Sequence, residues 1–291
     1  MRRGADAQSQ QRGWPSCATA YLRLCATVNM IRILYIGDVV GQPGRRALHQ
    51  KLETVIGREM VDFTIVNIEN AAAGFGITEP IMEELSELPI NAFTSGNHIW
   101  DKKDFVENYD HYPQVVRPAN YPAGNPGKGC VVRQTAGGVN VAVLQFMGNV
   151  FMPPIDNPFY SADRELAALG DAAKVIIVDI HGEASSEKQA FGRYLDGRAS
   201  AVLGTHTHVP TADERILPNG TAYQTDVGMT GAYDSVIGFR PEEALHRFLM
   251  NTPKKLEVAK RDIRLSGALI EVDEETGRAH RIVRIHEHLG E

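Results

Sequence analysis

Carboxylate, amide and imidazole side chains in this 291-residue chain gather in short clusters, each just beyond an apolar run. They are Asp38 in Gly37-Asp38-Val39-Val40-Gly41, then Glu69-Asn70, Gly96-Asn97-His98, His181-Gly182 and Gly204-Thr205-His206-Thr207-His208. Imidazole nitrogens combined with carboxylate and amide oxygens suit divalent or trivalent ions of intermediate hardness. Two such ions about 3.5–4 Å apart can activate a water and stabilise charge growing on phosphorus-bound oxygens. The residue types therefore point to a two-metal hydrolase, with Glu69 as the candidate bridging carboxylate.

Each cluster alone has an ordinary structural reading. Asp38 could be a helix cap or turn residue, Glu69-Asn70 could be loop polarity, and His181 could be a strand-end histidine with satisfied hydrogen bonds. His206 and His208 resist that reading, because alternate residues on an extended segment project to one face and suit shared ligation. The ordered combination carries the metal argument.

Something must bring these clusters together. Ile31 to Ile36, Phe63 to Ile68, Lys174-Val-Ile-Ile-Val and Ala199-Ser-Ala-Val-Leu have the continuous apolar character of buried parallel strands. The first leads through Gly41-Gln-Pro-Gly44 into a helix pattern from Arg45 to Ile56. The second leads through Ala71-Ala-Ala-Gly-Phe-Gly76 into a helix from Thr78 to Leu88, with Thr78 as cap and Pro80 in the first turn. A third strand ends at Ser95. Successive βαβ crossovers place Asp38, Glu69 and Asn97 on the carboxyl-end edge of one sheet, where open α/β sheets bind ligands.

Farther along, Tyr109 to Asn157 is rich in Pro and Gly and reads as loops around a strand from Val139 to Gln145. A helix at Ala162 to Leu169 precedes a strand ending at Asp179. Hairpins are expected across Pro218-Asn219-Gly220 and between Leu265 to Val272 and Arg281 to His286. Antiparallel strands thus extend or cover a largely parallel core.

Composition narrows the function classes. A chain that is 43% hydrophobic and 23% charged can bury a large core. Its formal charge of -6 argues against a broad grip on nucleic acid polymers, while small phosphorylated substrates remain open. No run approaches the roughly 20 apolar residues of a spanning helix, so no membrane segment is expected. Cys17, Cys25 and Cys130 are too scattered for a disulfide framework, which suits a reducing cytoplasm. Residues 1–29 carry neither a secretory apolar region nor a convincing twin-arginine signal and read as a disordered extension or an upstream start before Met30. Gly37 to Gly44 lacks both G-x-G-x-x-G and a Gly-Lys-Ser/Thr ending, which excludes the usual nucleotide-binding turns.

The order of Asp38, Gly96-Asn97-His98, His181 and Gly204 to His208 resembles calcineurin-like metallophosphoesterases. Gly37-Asp-Val-Val-Gly, Asn67-Ile-Glu-Asn-Ala, Thr94-Ser-Gly-Asn-His, Arg117-Pro-Ala-Asn-Tyr-Pro and Thr225-Asp-Val-Gly-Met-Thr-Gly resemble the bacterial YmdB-like branch. The resemblance runs from Met30 to the end and implies one metallophosphoesterase domain over residues 30–291. The implied fold is an α/β four-layer sandwich, two mixed β-sheets flanked by helices.

The same resemblance implies that Asp38, Glu69, Asn70 and His208 hold one metal ion, and that Glu69, Asn97, His181 and His206 hold the other. Iron is the first expectation and manganese the second, with zinc also compatible. One departure from the wider superfamily matters: Val40 stands where its first motif usually has a histidine. The Asn70 amide oxygen could equally serve a ligand's neighbour or the substrate. His98 is assigned proton donation to the departing ester oxygen.

The implied reaction is metal-hydroxide attack on a phosphodiester, a cyclic nucleotide, with 2′,3′-cyclic ahead of 3′,5′-cyclic. The alternatives are a phosphomonoesterase, or a regulatory metal-binding protein with a protein or RNA-related partner and little catalysis. A homo-oligomer would fit the family. Arg117 and Tyr121 could shape a substrate rim or pack a loop, and the Gly74-Phe-Gly76 turn could wall the site.

Overall fold

The computed structural model describes Met1 and residues 29–290. The expected extension or upstream start at residues 1–29 therefore lies almost wholly outside the described residues, as do Cys17 and Cys25.

Two six-stranded sheets form the centre. In the first, β1 (Met30–Ile36), β2 (Phe63–Asn67) and β3 (Ala92–Thr94) run parallel, linked by helices α1 (Gly41–Glu59) and α2 (Glu79–Ser86). A short helix α3 (Lys103–Asn108) follows. The second sheet has the order β4 (Cys130–Gln134), β5 (Asn140–Met147), β6 (Val175–His181), β7 (Ala201–Thr205), β9 (Ala222–Gln224) and β8 (Arg215–Ile216). Its members β5, β6, β7 and β9 are parallel, while β4 and β8 add antiparallel edges. Helices α4 (Pro158–Leu169) and α5 (Ser185–Tyr194) cross between its central strands. The chain then adds β10 (Gly231–Ala232), α6 (Pro241–Met250) and a long hairpin, β11 (Ile263–Asp273) with β12 (Ala279–His288). β11 lies antiparallel against β1 and completes the first sheet.

Side-chain alternation along the strands creates the layers. Ile33 and Tyr35 of β1 join Phe63, Ile65, Val141, Val143, Ile177 and Leu203 in a core between the sheets. The intervening Leu34 and Ile36 face Leu48, Leu52 and Val55 of α1. On the far side, Leu144, Phe146, Val178 and Ile180 pack with Phe191 and Leu195 of the α5 region. Each fully buried Leu, Ile or Phe contributes about 1.5–3 kcal/mol. The expected four-layer sandwich of two mixed sheets flanked by helices is present, and no described helix is long and apolar enough to cross a membrane.

Local differences have local causes. α1 starts at Gly41 rather than Arg45, since Pro43 is compatible with a first helical turn. α4 starts at Pro158, where the Asn157 side chain accepts a hydrogen bond from the Phe159 N–H. Thr78 occupies the cap position of α2 without a side-chain cap bond.

Candidate metal centre

The clusters meet where the carboxyl ends of both sheets converge. Asp38, just beyond β1, is fully buried, and its Oδ2 accepts the His206 N–H at 3.1 Å. At the end of β2, the Asn67 side chain accepts the Glu69 N–H and donates to the Ser95 carbonyl, which fixes the turn that delivers Glu69. Glu69 is fully buried, and its Oε1 accepts the His98 N–H at 2.9 Å.

Several donor atoms converge on His181 Nε2. Glu69 Oε2 lies 2.8 Å away, His206 Nδ1 3.0 Å and Asn97 Oδ1 3.1 Å. Glu69, His181 and His206 offer ligand atoms all within 4.8 Å of one another. Beside them, the Asn70 amide lies 3.0 Å from His208 Nε2. His206 and His208 thus face different neighbours. They do not lie on an extended segment as expected: β7 ends at Thr205, and both histidines have positive φ, 92° and 66°. That left-handed backbone costs on the order of 1–3 kcal/mol per residue and is characteristic of functional sites.

The surroundings choose the histidine tautomers. Thr205 donates its hydroxyl proton to Asp179 at 2.7 Å, so its oxygen receives the His181 Nδ1–H at 2.9 Å. His208 Nδ1 donates to the Ile237 carbonyl at 2.8 Å. Both rings therefore keep Nε2 as their electron-pair donor, the arrangement that orients metal-binding histidines. Asp179, itself fully buried, also accepts from Tyr35, Asn67 and Gln145, and so ties the two sheets together beneath the site.

A bound cation fits this donor set on an observation of the protein itself. Asp38 Oδ1 is buried with no hydrogen-bond partner, and the buried Glu69 Oε2 faces only the crowded His181 Nε2, a costly state that a cation would relieve. Electrostatics agree. Burial raises the Asp38 carboxyl to about 7 against the attraction of His208 and His181. Burial also pushes Glu69 upward, yet the charge and hydrogen bond of His181 outweigh it and bring Glu69 down to about 2. Burial pulls His181 down, but Glu69 prevails and lifts it to about 9. His206 is lowered to about 3 by burial and by the neighbouring His181. The metal-free cluster holds a proton where a cation would replace it.

Gly96 matters through its missing side chain. A Cβ there would stand 2.5 Å from both Glu69 Cδ and His181 Nε2. Glycine is needed because the Gly-Asn-His turn passes directly over the donor atoms.

His98 lines the mouth of the site, partly exposed, with Nδ1 2.8 Å from Asp101 Oδ2. Sequence reasoning passed over Asp101, Asp179 and Thr205. It also missed the fully buried Lys188, whose ammonium donates to the Thr205 carbonyl and to Asp226. Asp226 in turn accepts from the Thr207 N–H and hydroxyl, holding the loop between the two histidines. The signal was Thr225-Asp-Val-Gly, quoted for its resemblance without a role. Arg117 donates to the carbonyls of Pro118 and Pro126 and packs its own loop.

A model of YmdB-like proteins matches residues 34–285. The chain belongs to the YmdB-like family. It is 49% identical over 255 residues to the 2′,3′-cyclic-nucleotide 2′-phosphodiesterase of Bacillus subtilis strain 168, covering 88% of this chain and 96% of that one. Among solved structures it resembles a hypothetical protein from Thermus thermophilus, with TM-score 0.81 and 43% identity over 89% of this chain and 99% of that one. It also resembles a protein described as a novel phosphatase from Mycoplasma pneumoniae, with TM-score 0.84 and 33% identity over 90% of this chain and 94% of that one. As a YmdB-like protein with this fold, the chain is a phosphoesterase.

Proposed function

We propose that this YmdB-like protein is a dinuclear-metal phosphodiesterase acting on cyclic nucleotides, foremost 2′,3′-cyclic ones. The observation that carries the reading is a partly exposed imidazole, His98, buttressed by Asp101 and bordering the cavity that the buried Glu69 carboxylate also lines. Structural metal retention alone gives no reason for that extra imidazole. The relative with 49% identity, named for 2′,3′-cyclic nucleotides, supports the substrate.

Asp38, Asn70 and His208 would hold one ion, Asn97, His181 and His206 the other, with Glu69 shared between them. Such a pair supplies a water acidic enough to attack phosphorus and positive charge for the phosphoryl oxygens. Iron is the first choice and manganese the second, since the mixed nitrogen and oxygen donors accept both.

The protein's own residues do the rest. Asp38 holds the His206 backbone in place, while Thr205 and the Ile237 carbonyl keep His181 and His208 in the donor tautomer. Asp101 orients the His98 ring, so that the imidazole stands where it can hand a proton to the departing ester oxygen. For a 2′,3′-cyclic substrate that oxygen belongs to the ribose and the product is a nucleoside monophosphate.

The test is hydrolysis of 2′,3′-cyclic AMP, 3′,5′-cyclic AMP and a nucleoside monophosphate by protein loaded separately with iron and manganese. Selective cleavage of a cyclic diester is expected. Preferential cleavage of the monoester would replace this reading with a phosphatase, and inactivity on all three with metal bound would put a regulatory role first.

A further inference from the structure

The site opens into a cavity of about 350 Å3 with two unlike walls. One wall is polar and includes Glu69, Asn70, His98, His206 and His208. The other presents Phe75, Ile237, Phe239 and Leu256. Phe75 and Phe239 stack at 5.3 Å between centroids, with 22° between planes, and Phe75 also meets the His98 ring at 5.0 Å. Phe239 is buried, while Phe75 is only partly so and Ile237 is 48% exposed.

Ile237 is unusual in its backbone. It occupies the tight turn from Val236 to Phe239, whose ends exchange N–H to carbonyl hydrogen bonds of 2.9 and 3.0 Å. Both central residues have positive φ, 46° at Ile237 and 96° at Gly238. Such turns favour Asn-Gly, and a β-branched residue at positive φ is strained. The Ile237 carbonyl accepts the His208 Nδ1–H, a task that any residue could perform. The side chain takes no comparable part in the core. An exposed, strained isoleucine at the mouth of a polar site has a use for its apolar surface.

We propose that Ile237 and Phe75 form an apolar shelf that receives the nucleobase of the substrate, resting on the cyclic-nucleotide reading above. A nucleotide divides as the cavity does. Its phosphate and ribose are polar, whereas its base is a flat π-surface that aromatic and aliphatic groups can cover. Stacking of this kind tolerates any base, because every base has a π-face. The shelf therefore selects for the presence of a base over its identity. It also joins recognition to ligation, since one residue offers its side chain to the base and its carbonyl to His208.

The experiment measures calorimetric binding of adenosine 3′-monophosphate and of a base-free probe, methyl riboside 3-phosphate. The metal-loaded wild type is compared with Ile237→Asn and Phe75→Leu, and thermal melting is recorded for each. The wild type should bind the nucleotide more tightly than the base-free probe by about five- to a hundredfold. Both variants should lose most of that preference while keeping their affinity for the base-free probe. Ile237→Asn should melt no lower than wild type, since it restores the residue the turn favours. Equal binding of both probes by the wild type, or an undiminished preference in Ile237→Asn, would overturn the shelf. A persistent preference without hydrolysis of any cyclic diester would support the shelf and sink the diesterase reading alone.

Discussion

His98 Nδ1 and Asp101 Oδ2 are 2.8 Å apart, so a carboxylate three residues on holds the imidazole that borders the candidate metal centre. His98 also fixes Glu69 through its backbone N–H, which does not depend on the ring. Replacing His98 by Ala should therefore lower kcat by about 10²–10⁴-fold while leaving metal content nearly unchanged. Asp101→Asn should cause a smaller loss of kcat with KM little altered. Steady-state kinetics and metal analysis of both variants check this, and loss of metal in His98→Ala would move that residue among the ligands.

Gly96→Ala should destroy the centre without unfolding the protein. Its new methyl group would stand 2.5 Å from His181 Nε2 and the Glu69 carboxyl carbon, where neither neighbour can withdraw without giving up its place. Metal analysis should show strong loss, while far-ultraviolet circular dichroism stays close to wild type. Full metal retention would contradict the close approach.

Metal uptake should release protons and depend on pH. In the metal-free protein Glu69 outweighs burial and holds His181 up to about 9, and burial holds Asp38 up to about 7. At neutral pH these groups carry protons that a cation must displace, so affinity rises with pH through this window. Calorimetric titrations in buffers of different ionisation enthalpy should give different apparent heats of binding. Identical heats would show that no proton leaves.

Lys188→Met should be among the most destabilising single changes. It strips the ammonium from Asp226 in a pair with about 1% exposure on each side, and breaking such a pair costs about 3–5 kcal/mol because a buried charge is left alone. The double variant with Asp226→Asn should recover part of that loss in urea unfolding. Additive losses would mean that the two residues act separately.

Much of the site was legible in the sequence, for a physical reason. Buried parallel strands are continuous apolar runs, and a sheet delivers whatever follows each strand to one edge. Asp38, Glu69 and Asn97 could be placed on one edge by that rule, while His181 ends a strand of the other sheet. Elements without an apolar signature were passed over. β4 is an exposed edge with residues such as Arg133 and Gln134, and α5 has a polar sequence whose Lys188 looks like a surface residue yet is fully buried. The left-handed backbones of His206 and His208 had no sequence sign, because neither is glycine. Asp101 could have been found, since an acid three residues after a histidine is in reach on a turn, but nothing in the pattern distinguished it from ordinary surface polarity.

The pairing of β1 with β11 has a consequence for the protein's birth on the ribosome. β1 is synthesised well before its antiparallel neighbour, which spans Ile263–Asp273. At about 5–20 residues per second, β1 waits on the order of tens of seconds with that edge unpaired. The second sheet, complete by β9, can form in that interval, but the first cannot close until β11 has emerged. A nascent chain stalled before β11 should hence expose an apolar strand edge to chaperones and to other copies of itself.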